Sequence, residues 1–138
     1  RGEARIEPVA GWGAAERIVR DPGWDRGWWE AEEAMRRRLL SRASEGRAMD
    51  RVILALTRVT DMAGETVPGC AATAALRRGE ARQALAAAAA GAATQACYQA
   101  ALALLAEAGE SHPFALKLRL YEGGRWPLGI VDGAFHLF

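Results

Sequence analysis

The stretch Glu80–Glu110, EARQALAAAAAGAATQACYQAALALLAEAGE, decides the fold. From Ala84 through Ala106 it carries no charge, and Ala84 to Ala93 holds only Ala, Leu and one Gly. Alanine is the strongest helix former and Leu, Gln, Arg and Glu follow closely, so the pattern predicts one long helix over about residues 80–108. Small uncharged side chains all round mark no face for water, so neighbouring elements should crowd this helix on at least two sides. Gly79 either separates it from a helix beginning near Cys70 or bends it, and the pattern leaves both open. Gly109 and Pro113 are expected to end it.

Working outward, Arg1 to Gly11 lack periodicity and read as an extended arm. Gly13–Arg20 fits a short helix with Ile18 and Val19 inward, closed by the turn Asp21-Pro22-Gly23. In Trp24–Arg42, Trp28, Met35 and Leu39 share a helical stripe, with Trp24 a turn earlier and Trp29 beside it. Acids precede bases there, and Glu32–Arg36 and Glu33–Arg37 are expected as i,i+4 pairs. Arg47–Ala63 repeats Met49, Val52, Ile53, Leu56, Val59 and Ala63 at spacings of three and four, an amphipathic helix.

Beyond Pro113 the period changes. Leucines 116, 118 and 120 alternate with Lys117 and Arg119, which predicts a strand over Phe114–Tyr121. A second strand is predicted over Trp126–Val131 and a third over Ala134–Phe138, joined by the hairpin signal Asp132-Gly133. Register would turn Trp126, Leu128, Ile130, Phe135 and Leu137 to the core and His136 away, given an odd loop or a bulge after Tyr121. The expected fold is α+β and mainly helical. Four or five helices surround the Ala-rich one, and a three-stranded antiparallel meander follows at about 114–138, all in one domain of 138 residues.

Composition narrows the function. A net charge of +1 supplies no bulk attraction to nucleic acid or anionic lipid. The seven arginines between Arg36 and Arg58 alternate with apolar helical positions and lack the interleaved aromatics of a single-strand binder. Thr94, Gln95, Tyr98 and Gln99 interrupt the long uncharged run, and anchoring residues are missing from its flanks, so it does not read as a membrane span. Arg outnumbers Lys seventeen to one and Asn is absent, a bias that fits a GC-rich bacterial gene. The chain opens on Arg rather than Met, which suggests that a start or leader precedes it. Cys70 and Cys97 stand far apart without CxxC spacing, which fits a reducing cytoplasm and no structural zinc.

Chemistry-bearing candidates are few. Cys70 follows Pro68-Gly69 near a helix start, where a thiolate is stabilised, and His112 or His136 would have to serve it as base. Among Glu30, Glu33, Asp50, Asp61 and Glu65, the Asp61/Glu65 pair is the least compensated candidate for a metal-dependent hydrolase. No Glu-x-x-His occurs, so a di-iron bundle is excluded, and no cofactor motif is present. Trp24, Trp28 and Trp29 are the stronger hint. Trp28 and Trp29 are adjacent and cannot share a helical face, so one should meet a groove or a partner. The apolar C-terminal strand with Phe135, His136 and Phe138 would form an unprotected edge unless the N-terminal arm covers it. The expected function is therefore protein–protein interaction or self-association through these residues. The alternative is a small enzyme or ligand binder using Cys70 or Asp61/Glu65.

Overall fold

The structure is a computed structural model that describes residues 5–63 and 83–138. Within these run β1 (Arg5–Pro8), α1 (Trp12–Val19), α2 (Arg26–Ala43), α3 (Met49–Ala63), α4 (Gln83–Leu105), α5 (Pro113–Glu122), β2 (Pro127–Val131) and β3 (Ala134–Leu137). The fold is α+β and mainly helical. Cys70, Glu65 and Gly79 lie outside the described residues, as does the side chain of Asp61.

Helix α4 is the axis. Helices α2, α3 and α5 all pack against it. Its first half, from Leu85 to Cys97, shares a core with Trp12, Ala15, Tyr121, Trp126, Leu128 and Phe138. Its second half, from Ala101 to Ala103, with Ala106 just past its end, shares another with Leu39, Ala43, Val52, Leu56 and Phe114. Alanines at the contacts let the backbones approach closely, so the large side chains come from the neighbours. One strip stays wet, where Thr94 returns its hydroxyl to the Ala90 carbonyl at 2.9 Å. Gly109 does not end this helix. Glu107 takes the left-handed turn itself at φ 54°, and Ala108 N–H donates back to the Ala103 carbonyl at 3.0 Å.

The predicted strand over Phe114–Tyr121 is helix α5. Leu, Lys, Arg and Ala are helix formers without β-branches, so the alternation carried no real strand preference. Pro113 occupies the first helical turn, and His112 caps it by accepting from Phe114 N–H through Nδ1 at 3.1 Å. In this conformation Phe114 and Tyr121 are buried, while Leu116 is exposed.

Loss of that strand changes the sheet. Its order is β1-β3-β2, with β1 parallel and β2 antiparallel to β3, so it is mixed rather than an antiparallel meander. Segment Asp132-Gly133 makes the expected two-residue turn, at φ 51° and 74°. The third strand comes from the N-terminal arm, so β3 lies in the middle and is no edge. A bulge at Leu128 shifts the register between Pro127 and Gly129 and sets Trp126 opposite Phe138. Ala134 and Phe138 are therefore buried, whereas Phe135 and Leu137, expected in the core, are half-buried. Trp12, Trp126 and Phe138 form one aromatic cluster, with ring centroids 4.8 to 6.3 Å apart.

Two helical expectations also shift. In α3, Val52 and Leu56 are buried but Met49 and Ile53 are exposed, so the stripe that meets α4 is narrower than the apolar pattern. In α2, Glu32 does not pair with Arg36. Arg36 turns to Glu33 instead, with Nε 3.0 Å from Oε1.

Candidate functional site

Three local devices fix the start of α2. Asp21 Oδ1 accepts from Gly23 N–H at 2.7 Å and holds the turn. Asp25 N–H donates to the Ile130 carbonyl at 2.7 Å, tying the chain to the outer side of β2. Asp25 Oδ1 then caps the helix by accepting from Gly27 N–H at 2.8 Å. Between these anchors the Trp24 indole donates to the Leu128 carbonyl at 3.0 Å and lies directly against Gly129. Gly129 has φ 118°, and a Cβ there would overlap the indole, so this position needs glycine on both counts.

The first turns of α2 then project Trp28, Trp29 and Glu32. Trp28 is half-buried with its ring 5.1 Å from that of Phe135, and Trp29 is 58% exposed. Glu32 points inward between α4 and α5. There Lys117 Nζ donates to Glu32 Oε1 at 2.8 Å and Oε2 at 3.1 Å, and to Gln99 Oε1 at 3.1 Å. Gln99 Nε2 donates to Glu32 Oε2 at 3.2 Å. The Lys117 and Glu32 side chains are only 15% and 13% exposed, and Gln99 is 3% exposed. Each of three helices thus contributes one polar side chain to a closed network in a low-dielectric setting.

A cleft of about 270 Å³ opens over this network, walled by Trp24, Trp28, Trp29 and Trp126. Glu33 also lines the cleft, and a hydrogen bond from the Arg36 guanidinium holds its carboxyl below the usual carboxylate range, helped by Arg37. Beside the cleft lies one face of the sheet. Register puts Ile6 next to Phe135 and Phe135 next to Ile130, with Pro8 next to Leu137 one step along. All five are apolar. Ile6 is 65% exposed, Pro8 is exposed, and the other three are half-buried.

The residues expected to bind a partner therefore separate. Trp24, Trp28, Trp29 and Phe135 gather around the cleft and the sheet face. Phe138 is a core side chain. His136 is half-buried in the middle strand beside Glu7, and its Nδ1 is buried without a hydrogen-bond partner among the described residues. His112 serves as a helix cap. Burial, with the charge of Arg38, pushes its imidazole below the usual histidine value. Sequence reasoning missed the Glu32–Lys117–Gln99 network. Two marks were visible: Lys117 is the only lysine in the chain, and Gln99 is one of four polar side chains, with Thr94, Gln95 and Tyr98, that interrupt the Ala-rich run.

No protein-family model, curated protein or solved structure matches the chain. Its function is therefore read from its own surfaces.

Proposed function

We propose that this chain acts by association, with a second copy of itself, through the outer face of the sheet and the neighbouring indoles. One observation carries the reading: Ile6, Phe135 and Ile130 form an apolar row across all three strands, and Trp28 continues it toward exposed Trp29. A contiguous apolar patch of this kind marks a contact surface, and indoles are frequent anchors within one. The opposite side of the sheet is already covered by Trp12 of α1, so among the described residues the remaining face is the one left to pack.

The face is favoured over the edge. β1 is only four residues long, ends in Pro8, and carries Arg5 and Glu7 paired at 2.7 Å. Short length, charge and proline all discourage strand addition. Face-to-face packing of two sheets about a two-fold axis avoids that edge and buries the row against its own copy. The near-zero net charge imposes no repulsion between copies. A reducing cytoplasm belongs to the same reading, supported by two cysteines, Cys70 and Cys97, that stand far apart in the sequence without CxxC spacing.

A patch of a few side chains supports a weak dimer, with Kd on the order of 100 µM. Sedimentation velocity between about 10 µM and about 1 mM spans that transition. Wild type is expected to shift from monomer to dimer. Ile6→Asp and Trp29→Ser should remain monomeric, whereas Leu104→Asp on α4 should behave like wild type. A wild-type chain that stays monomeric throughout, or an Ile6→Asp variant that still dimerises, would overturn the proposal.

A further inference from the structure

We infer that the indole-walled cleft binds a small zwitterion with a flat aromatic side chain, a free amino acid of the phenylalanine class. This inference does not rest on the association proposed above. It starts from the state of the charges on the floor. Lys117 has three N–H donors, and all three are engaged, two on Glu32 and one on Gln99. A ligand that reaches either charge must therefore displace a partner.

The sign of the ligand then decides what it leaves behind. A carboxylate without an amine would take Lys117 and leave Glu32 as an unpaired anion in a mostly buried site. An amine without a carboxylate would take Glu32 and leave Lys117 unpaired. Either outcome strands a desolvated charge, which is costly. A zwitterion exchanges both partners at once: its ammonium donates to Glu32 and its carboxylate accepts from Lys117. One ion pair becomes two, and no charge is left over.

Gln99 is built for this exchange. Its Oε1 already accepts from Lys117 and its Nε2 already donates to Glu32. The amide has a second N–H, which can donate to an incoming carboxylate. Indoles line the cleft beside the charges and supply apolar surface on which an aromatic ring can pack, and about 270 Å³ suits a ligand of amino-acid size. Trp29, more than half exposed, stands at the mouth where a ligand enters.

The test uses L-phenylalanine against two analogues that each lack one charge, phenethylamine and 3-phenylpropanoate. Binding to the intact chain is followed by the indole and Gln99 side-chain N–H signals in a ¹⁵N correlation spectrum. L-phenylalanine should shift these signals saturably, and each analogue should bind at least about tenfold more weakly. Glu32→Leu/Lys117→Met, which removes both charges together, should fold and lose that preference. The Ile6→Asp variant should bind L-phenylalanine like wild type, which separates this result from the association proposed above. Absence of saturation by about 10 mM, or an analogue that binds as well as L-phenylalanine, would overturn the inference. Should the double variant fail to fold, the analogue series on wild type still decides.

Discussion

Replacing Lys117 by Met removes the ammonium that donates to both oxygens of Glu32 and to Gln99. The carboxylate then keeps Gln99 Nε2 as its remaining donor in this network, while the Glu32 side chain is 13% exposed. Breaking a buried pair from one side costs about 3–5 kcal/mol. The remaining amide bond and the residual exposure argue for the low end, about 3 kcal/mol. For a chain of 138 residues that corresponds to a fall of about 10 °C in Tm. Glu32→Leu should cost a similar amount, because it leaves the ammonium facing only Gln99 within the network. The two changes together should not add. With both charges gone, apolar side chains fill the site but the buried Gln99 amide loses both its network partners, so the double variant should lose about 1–3 kcal/mol, no more than either single change. Urea unfolding of the four proteins yields the coupling through the double-mutant cycle. The reasoning is refuted if Lys117→Met alone costs less than about 1 kcal/mol, or if the double variant loses the sum of the single costs.

The cap of α5 introduces a pH dependence. His112 accepts from Phe114 N–H through Nδ1, which requires a neutral ring, and burial and Arg38 lower its pKa from the ordinary 6.5. The unfolded chain therefore binds this proton more readily than the folded one, so stability is full above pH 6.5 and falls as pH drops through 6.5 toward the folded value. Chemical denaturation at several pH values should show that slope, and His112→Asn, a good cap that does not titrate, should flatten it. Gly129→Ala should destabilise by about 3 kcal/mol or more and displace Trp24, because a Cβ at φ 118° overlaps the indole. Thermal melts and tryptophan emission check this, and a loss below about 1 kcal/mol would count against the close approach.

The elements that were legible owe it to local chemistry. An alanine run forms a helix whatever surrounds it, and Asp132-Gly133 turns because both residues accept positive φ. Phe114–Tyr121 misled because alternating leucines satisfy two periods at once. On the helix Leu116 is exposed while Leu118 and Leu120 are half-buried, and Phe114 and Tyr121 take the buried positions. The deciding signals were Pro113 and His112, which start a helix as readily as proline stops one. The fate of Phe135 and Phe138 could not be read locally, since a single bulged residue at Leu128 exchanges the two faces of the hairpin.

The candidate site divides the same way. Adjacent Trp28 and Trp29 had to part, and they do, because neighbouring positions on a helix point in different directions. Glu32 was expected to find Arg36, its neighbour one turn on, yet its partner is Lys117, far along the chain. Sequence alone determined the Ala-rich axis, the tight hairpin and the cluster of indoles on α2, since each depends on interactions within a few residues. The parallel pairing of β1, the conversion of α5 from strand to helix and the Glu32–Lys117–Gln99 network were decided only in three dimensions. They depend on which distant groups are brought out of water together, and a buried charge must then pair with whatever the packing sets beside it.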